Sequence, residues 1–110
     1  MKSFCYAKDR SGSAYHEFYK GKWDHTSFWK SDSFLLHDDT LEALGLCTVL
    51  AEVLPGYNRH GVTELNQSQW ESILDHASQL NTEAKIALTE AEAWAKDAFE
   101  NGNMITIFQW

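Results

Sequence analysis

Residues 101–110, NGNMITIFQW, gather Met104, Ile105, Ile107, Phe108 and Trp110 into one short run. Terminal segments are ordinarily polar and poorly ordered, so this run constrains the fold more than any other. Extended, it places Ile105 and Ile107 on one side and Met104, Phe108 and Trp110 on the other. A strand that is apolar on both sides is an interior strand, covered above and below. The segment is therefore predicted to be a sheet strand laid in last, beside the N-terminal strand.

The rest of the chain supplies what such a strand needs. KSFCYAK (2–8) alternates as a strand with Phe4 and Tyr6 on one face, and DRSGS (9–13) reads as a turn. AYHEFYKGKW (14–23) fits either a second strand or a short helix, because Tyr15, Phe18 and Tyr19 satisfy neither period cleanly. SDSFLLH (31–37) suits a buried strand. DDTLEALGLCTVLAEVLPG (38–56) predicts a helix capped by Asp38, Asp39 or Thr40 and ended by Pro55–Gly56. Its polar stripe, chiefly Glu42, Thr48 and Glu52, is narrow, which predicts a central helix covered on most sides.

GVTEL (61–65) reads as a short strand. In NQSQWESILDHASQL (66–80), Trp70, Ile73, Leu74, Ala77 and Leu80 recur at helical spacing, with Asn66 or Ser68 as the cap. TEAKIALTEAEAWAKDAFENG (82–102) predicts a third helix capped by Thr82. Its stripe runs from Ala84 to Phe99, and Gly102 sits where a left-handed C-cap is wanted. The expectation is one α+β domain over residues 1–110: a small, mainly antiparallel sheet including the N- and C-terminal strands, with about three helices.

The two cysteines, Cys5 and Cys47, lie among apolar neighbours and read as buried free thiols, not a disulfide framework. No apolar run is long enough to span a membrane, and MKSFCYAKDR lacks the apolar core of a signal peptide. No membrane association is expected, and a cytoplasmic location is the default. The net charge of −7 is uneven. Residues 1–30 carry six basic and three acidic side chains, whereas residues 31–110 carry three basic and thirteen acidic. An acidic majority of this kind repels nucleic acid and steers a basic partner toward itself.

No residue pattern spells out an active site. His16, His25, His37, His60 and His76 show no metal-ligand spacing, and neither a Gly-x-Ser-x-Gly elbow nor a phosphate-binding Gly-rich loop occurs. No metal, cofactor or catalytic residue is assigned. Asp38–Asp39 reads as a helix cap, or alternatively as an exposed acidic knob for a partner Lys or Arg. FYKGKWDHTSFWK (18–30) interleaves lysines with aromatics, a pattern that can bind single-stranded nucleic acid by stacking. The acidic remainder of the chain argues against direct nucleic-acid binding, and these aromatics read more simply as core.

At SDSFLLHDDTLEALGL, VLPGYNRHGVTELNQSQWESIL and NGNMITIFQW, the chain resembles small bacterial immunity proteins. These are encoded beside contact-dependent growth-inhibition toxins and other polymorphic toxins. The likeness lies in the order of elements over most of residues 31–110. It implies a short, acidic, cytoplasmic, non-enzymatic protein that binds and blocks a cognate toxin domain, often a basic nuclease, at its active site or substrate groove. Contact residues differ between cognate pairs of that group, so none is carried over. From charge and composition the expected toxin-facing residues are Asp32, Asp38, Asp39, Glu42 and Glu64, sharing a rim, with Trp23 and Trp29 as aromatic contacts. Two other classes fit the residues: a small RNA-processing enzyme using His16 or His25 with nearby lysines, and an acidic nucleic-acid mimic aimed at a host protein.

Overall fold

A computed structural model describes residues 3–109. The described strands are β1 (Phe4–Cys5), β2 (Tyr15–Lys20), β3 (Phe34–His37), β4 (Val62–Leu65) and β5 (Ile105–Gln109). The described helices are α1 (Asp38–Ala43), α2 (Leu46–Val53), α3 (Gln67–Leu80), α4 (Thr82–Thr89) and α5 (Glu92–Gly102), with a single 3-10 turn at Ala7–Asp9. All five strands form one antiparallel sheet in the order β1-β3-β2-β5-β4. The fold is α+β as expected.

β5 is an interior strand, with Ile105, Thr106, Ile107 and Phe108 all buried. Its neighbours are β2 and β4, not the N-terminal strand. β1 lies at the far edge, paired among the described residues with β3 alone. Trp110, grouped with Met104 and Phe108 by its spacing, lies outside the described residues. The segment 15–20, open between strand and helix, is a strand. Its two polar interior residues, His16 and Glu17, are each buried against non-local partners, which is why alternation did not reveal it.

One face of the sheet is covered by the helices. Phe4, Phe18, Leu36, Leu65, Ile105 and Ile107 pack there against Leu41, Leu46, Leu50, Trp70, Ile73, Leu88, Trp94 and Phe99. The helix count is five, not about three, because two predicted helices each break. Gly45, at φ 74°, separates α1 from α2. A Cβ at that position would come within 2.9 Å of Leu80 Cδ2. The second break falls between Thr89 and Glu92, yet the predicted stripe of Ala84, Ala87, Leu88, Ala91, Trp94, Ala95, Ala98 and Phe99 is buried throughout. Both helices face the same core, so the apolar spacing runs on across the break. α1 and α2 are not covered on most sides: Glu42, Ala43, Thr48, Ala51 and Glu52 are exposed.

The caps differ from expectation in an instructive way. Asn66 caps α3 through a reciprocal capping box with Gln69. α4 is capped by Asn81, not Thr82. The Asn81 side chain accepts from Ala84 N and donates to Leu44 O, so it ties the α3–α4 junction to the end of α1. α1 is capped by His37, whose Nδ1 accepts from Asp39 N at 3.1 Å, and not by Asp38, Asp39 or Thr40. Asn103, at φ 62°, takes the left-handed position after α5. Gly102 serves another need, since a Cβ there would stand 2.9 Å from Gly21 Cα, where α5 crosses the end of β2.

The opposite face of the sheet is covered by the irregular segment 21–33. Trp23 stacks on Phe108 at 4.3 Å and Trp29 meets Tyr15 edge-on at 6.2 Å. Glu17, wholly buried beneath the segment, accepts from Trp29 N at 2.9 Å and Lys30 N at 3.2 Å. A buried carboxylate satisfied by backbone N–H groups anchors a loop that has no regular structure of its own. Thr106 Oγ1 donates to Gly21 O at the start of the same segment. Trp23 and Trp29 thus form a second, smaller core.

Candidate functional site

The polar arrangement that most resembles catalytic machinery lies where β2, α1 and the 54–61 loop meet. His16 Nδ1 is 2.8 Å from Asp38 Oδ1, and His16 Nε2 is 3.0 Å from the Tyr57 hydroxyl. Gln109 Nε2 donates to the other oxygen of Asp38. The carboxylate only accepts, so in the neutral ring Nδ1–H donates to Asp38 and Nε2 accepts from Tyr57. Burial lowers the His16 pKa, and this outweighs the opposing pull of Asp38. Burial, and then the adjacent Cys47 thiol, raise that of Tyr57, which keeps its hydroxyl proton. His16 is 1% exposed and both ring nitrogens are engaged. The network ties three parts of the fold together: β2, the start of α1 and the 54–61 loop.

The burial of neutral His16 has a consequence for pH. Its folded-state pKa lies below the ordinary 6.5. As pH falls through about 6.5 the unfolded chain binds a proton that the folded one resists, so stability is full above that pH and declines below it. The urea midpoint is expected to fall between pH 7.5 and pH 5, with a limiting slope of about 1.4 kcal/mol per pH unit. A His16→Gln variant should lose that slope. An identical slope in the variant would assign the effect to the other histidines.

The expected toxin-facing residues separate in the structure. Asp38 is 7% exposed and committed to His16 and Gln109, so it is not a surface charge. Asp39 points outward, and Glu42 pairs with Arg59 at 3.2 Å. Asp32 is half-buried in the turn before β3, at the end of that strand away from Asp38, and its carbonyl accepts from Trp94 Nε1. Glu64 lies on the edge strand β4, lining a cleft of about 490 Å³ with His25, Pro55 and Val62. The five carboxylates therefore do not share a rim. They failed to do so because β3 runs between two of them and because one of two adjacent aspartates turns inward.

The sequence-level grouping missed the helix layer. Of the thirteen carboxylates in residues 31–110, Asp39, Glu42, Glu52, Glu64, Glu71, Asp75, Glu83, Glu92, Asp97 and Glu100 are exposed. Over α3–α5, residues 67–102, seven acidic side chains stand against Lys85 and Lys96. Among the described residues, Asp97 is the one of these seven in an ion pair, with Lys20 at 2.6 Å. On the other side of the sheet Arg10 lies over Trp29 and Lys30 over Tyr19, whereas Lys20 reaches the helix layer, over Trp94. The regular spacing of acids opposite each apolar stripe was the available signal.

Among the described residues, no group of three or more His, Cys, Asp or Glu side chains is placed to hold a metal ion. Cys5 and Cys47 are free and half-buried, not fully buried. No described helix is long and apolar enough to cross a membrane. Comparison with protein-family models, curated proteins and solved structures gives no match.

Proposed function

We propose that the protein is an immunity protein that binds a basic toxin domain, a nuclease whose groove must hold phosphates, and blocks it. The observation that carries this reading is the surplus of exposed carboxylates over α3–α5, almost none of them paired within the chain. A predominantly acidic surface that does not neutralise itself is suited to an oppositely charged partner. The resemblance in element order to immunity proteins supplies the class of that partner. The burial of His16, at 1% exposure, keeps a substrate from its ring and favours this reading over an RNA-processing enzyme built on that residue. We place the protein in the cytoplasm, where a toxin entering a cell would be met.

The test is kinetic. Association with the toxin domain encoded by a neighbouring gene should slow by about an order of magnitude or more as salt rises from low to several hundred millimolar, with dissociation changing less. Asp75→Lys together with Glu83→Lys should reproduce that slowing at low salt. An association rate indifferent to both would remove the steering role, and failure to protect the nuclease's substrate would end the proposal.

A further inference from the structure

At the far edge of the sheet, β1, the 3-10 turn, the start of β3 and the α4–α5 junction enclose a cleft of about 520 Å³. Its walls are Phe4, Tyr6 and Phe34, with Cys5, Asp9 and Glu90. The aromatic wall is rigid. Phe34 stacks between Trp94, at 5.3 Å and 10°, and Phe4, at 5.5 Å and 28°. Tyr6 meets Phe34 edge-on at 5.0 Å and stays 40% exposed, so part of its ring faces water. The polar wall is also held in place. Both carboxylate oxygens of Glu90 accept from Ser3 N, at 3.0 and 2.9 Å, which fixes the group and leaves lone pairs free. Among the described residues, neither Asp9 nor Glu90 makes an ion pair. Burial, and then the Asp9 charge, push the Cys5 thiol up, which is the response of an acid in a negative, poorly hydrated recess.

Two carboxylates facing a fixed aromatic wall define a narrow chemistry. An anion is repelled. A purely apolar group would leave the carboxylates desolvated without partners. An ammonium can pair with a carboxylate and sit over a ring, but as a compact point charge it neither stacks flat nor forks its donors across two carboxylates. A guanidinium does both: its plane stacks on an aromatic face while its N–H groups donate to carboxylate oxygens. We infer that this cleft is a receptor for an arginine side chain presented by a partner protein, with the half-exposed Tyr6 ring, braced by Phe34, as the stacking surface and Asp9 and Glu90 as the acceptors. The cleft is separate from the exposed carboxylates of α3–α5. Its chemistry stands whether or not the partner is a toxin.

The probe is N-acetyl-arginine amide, with N-acetyl-citrulline amide as its uncharged near-isostere. In amide-resolved NMR titrations of the full chain, the arginine probe is expected to shift the resonances of Cys5, Tyr6, Asp9 and Glu90 saturably. The citrulline probe should bind about tenfold more weakly. Glu90→Gln keeps an acceptor for Ser3 N and should weaken arginine binding about threefold or more, as should Asp9→Asn on the exposed turn. Tyr6→Ala should weaken both probes. Equal affinity for the two probes would make this a plain apolar groove and overturn the assignment. So would an absence of shifts around the cleft at tens of millimolar arginine probe, or full affinity in the Asp9→Asn, Glu90→Gln double variant. None of these results bears on whether the protein neutralises a toxin, which the kinetic test reads separately.

Discussion

A chain shortened by residues 104–110 is expected to give no cooperative thermal transition. β5 stands between β2 and β4, and Ile105, Thr106, Ile107 and Phe108 are all buried. Truncating one large buried side chain costs about 2–5 kcal/mol. Removing Ile105, Ile107 and Phe108 together therefore rivals the roughly 5–15 kcal/mol that holds a domain of this size. The backbone loss compounds this, because β2 and β4 would both lose a ladder and β4 would have no partner strand. Trp23 would also lose the ring on which it stacks. Circular dichroism melts of the shortened and full chains decide the matter. A sigmoidal melt of the shortened chain near the original midpoint would show that the strand is dispensable and that the helices hold the sheet without it.

The second large effect distinguishes two neighbours. Asp38→Ala should destabilise by about 3 kcal/mol or more, since it strips a charged acceptor from His16 and from the Gln109 amide and leaves buried donors unmet. Asp39→Ala should leave the denaturant midpoint nearly unchanged, because its side chain is 91% exposed. Urea unfolding of both variants is the measurement. Similar midpoints for the two would mean that the His16 network contributes nothing net to stability. The contrast also guards the kinetic test, as reversing Asp38 would change folding and association together.

Much of this architecture is legible in the residues. The interior character of the last strand, a short strand within 61–65, an N-cap at Asn66 or Ser68 and the stripe from Ala84 to Phe99 follow from residue type and spacing; the structure has the strand at 62–65 and chooses Asn66. The misreadings share a cause: the deciding contact lies far away in the sequence. Gly45 is tolerable inside a helix, and what makes it a break is the left-handed turn beside Leu80. Asp38 and Asp39 are the same residue type in the same turn, and only the position of His16 decides which one is buried. Segment 21–33 has no period to read, because it follows the contours of Tyr15, Glu17 and Phe108 beneath it. Charge totals were accurate, but grouping charges by sequence neighbourhood failed wherever a strand carried two of them to opposite ends of the sheet.

The strand order also sets a timetable. His16 finds Gln109, and Lys20 finds Ile105, across most of the length of the chain. When β2, the central strand, has been made, neither of its neighbours β3 and β5 yet exists. Only the β3 side can form early, together with helices whose contacts are local. Closing so long a loop costs entropy before any of its pairings form, and folds dominated by such pairings are slow to reach the native state. Until β5 arrives, the inner edge of β2 and the whole of β4 stand open to pairing with other chains, the condition under which partly made sheets aggregate. Docking of the five residues of β5 between β2 and β4 closes both of those edges at once.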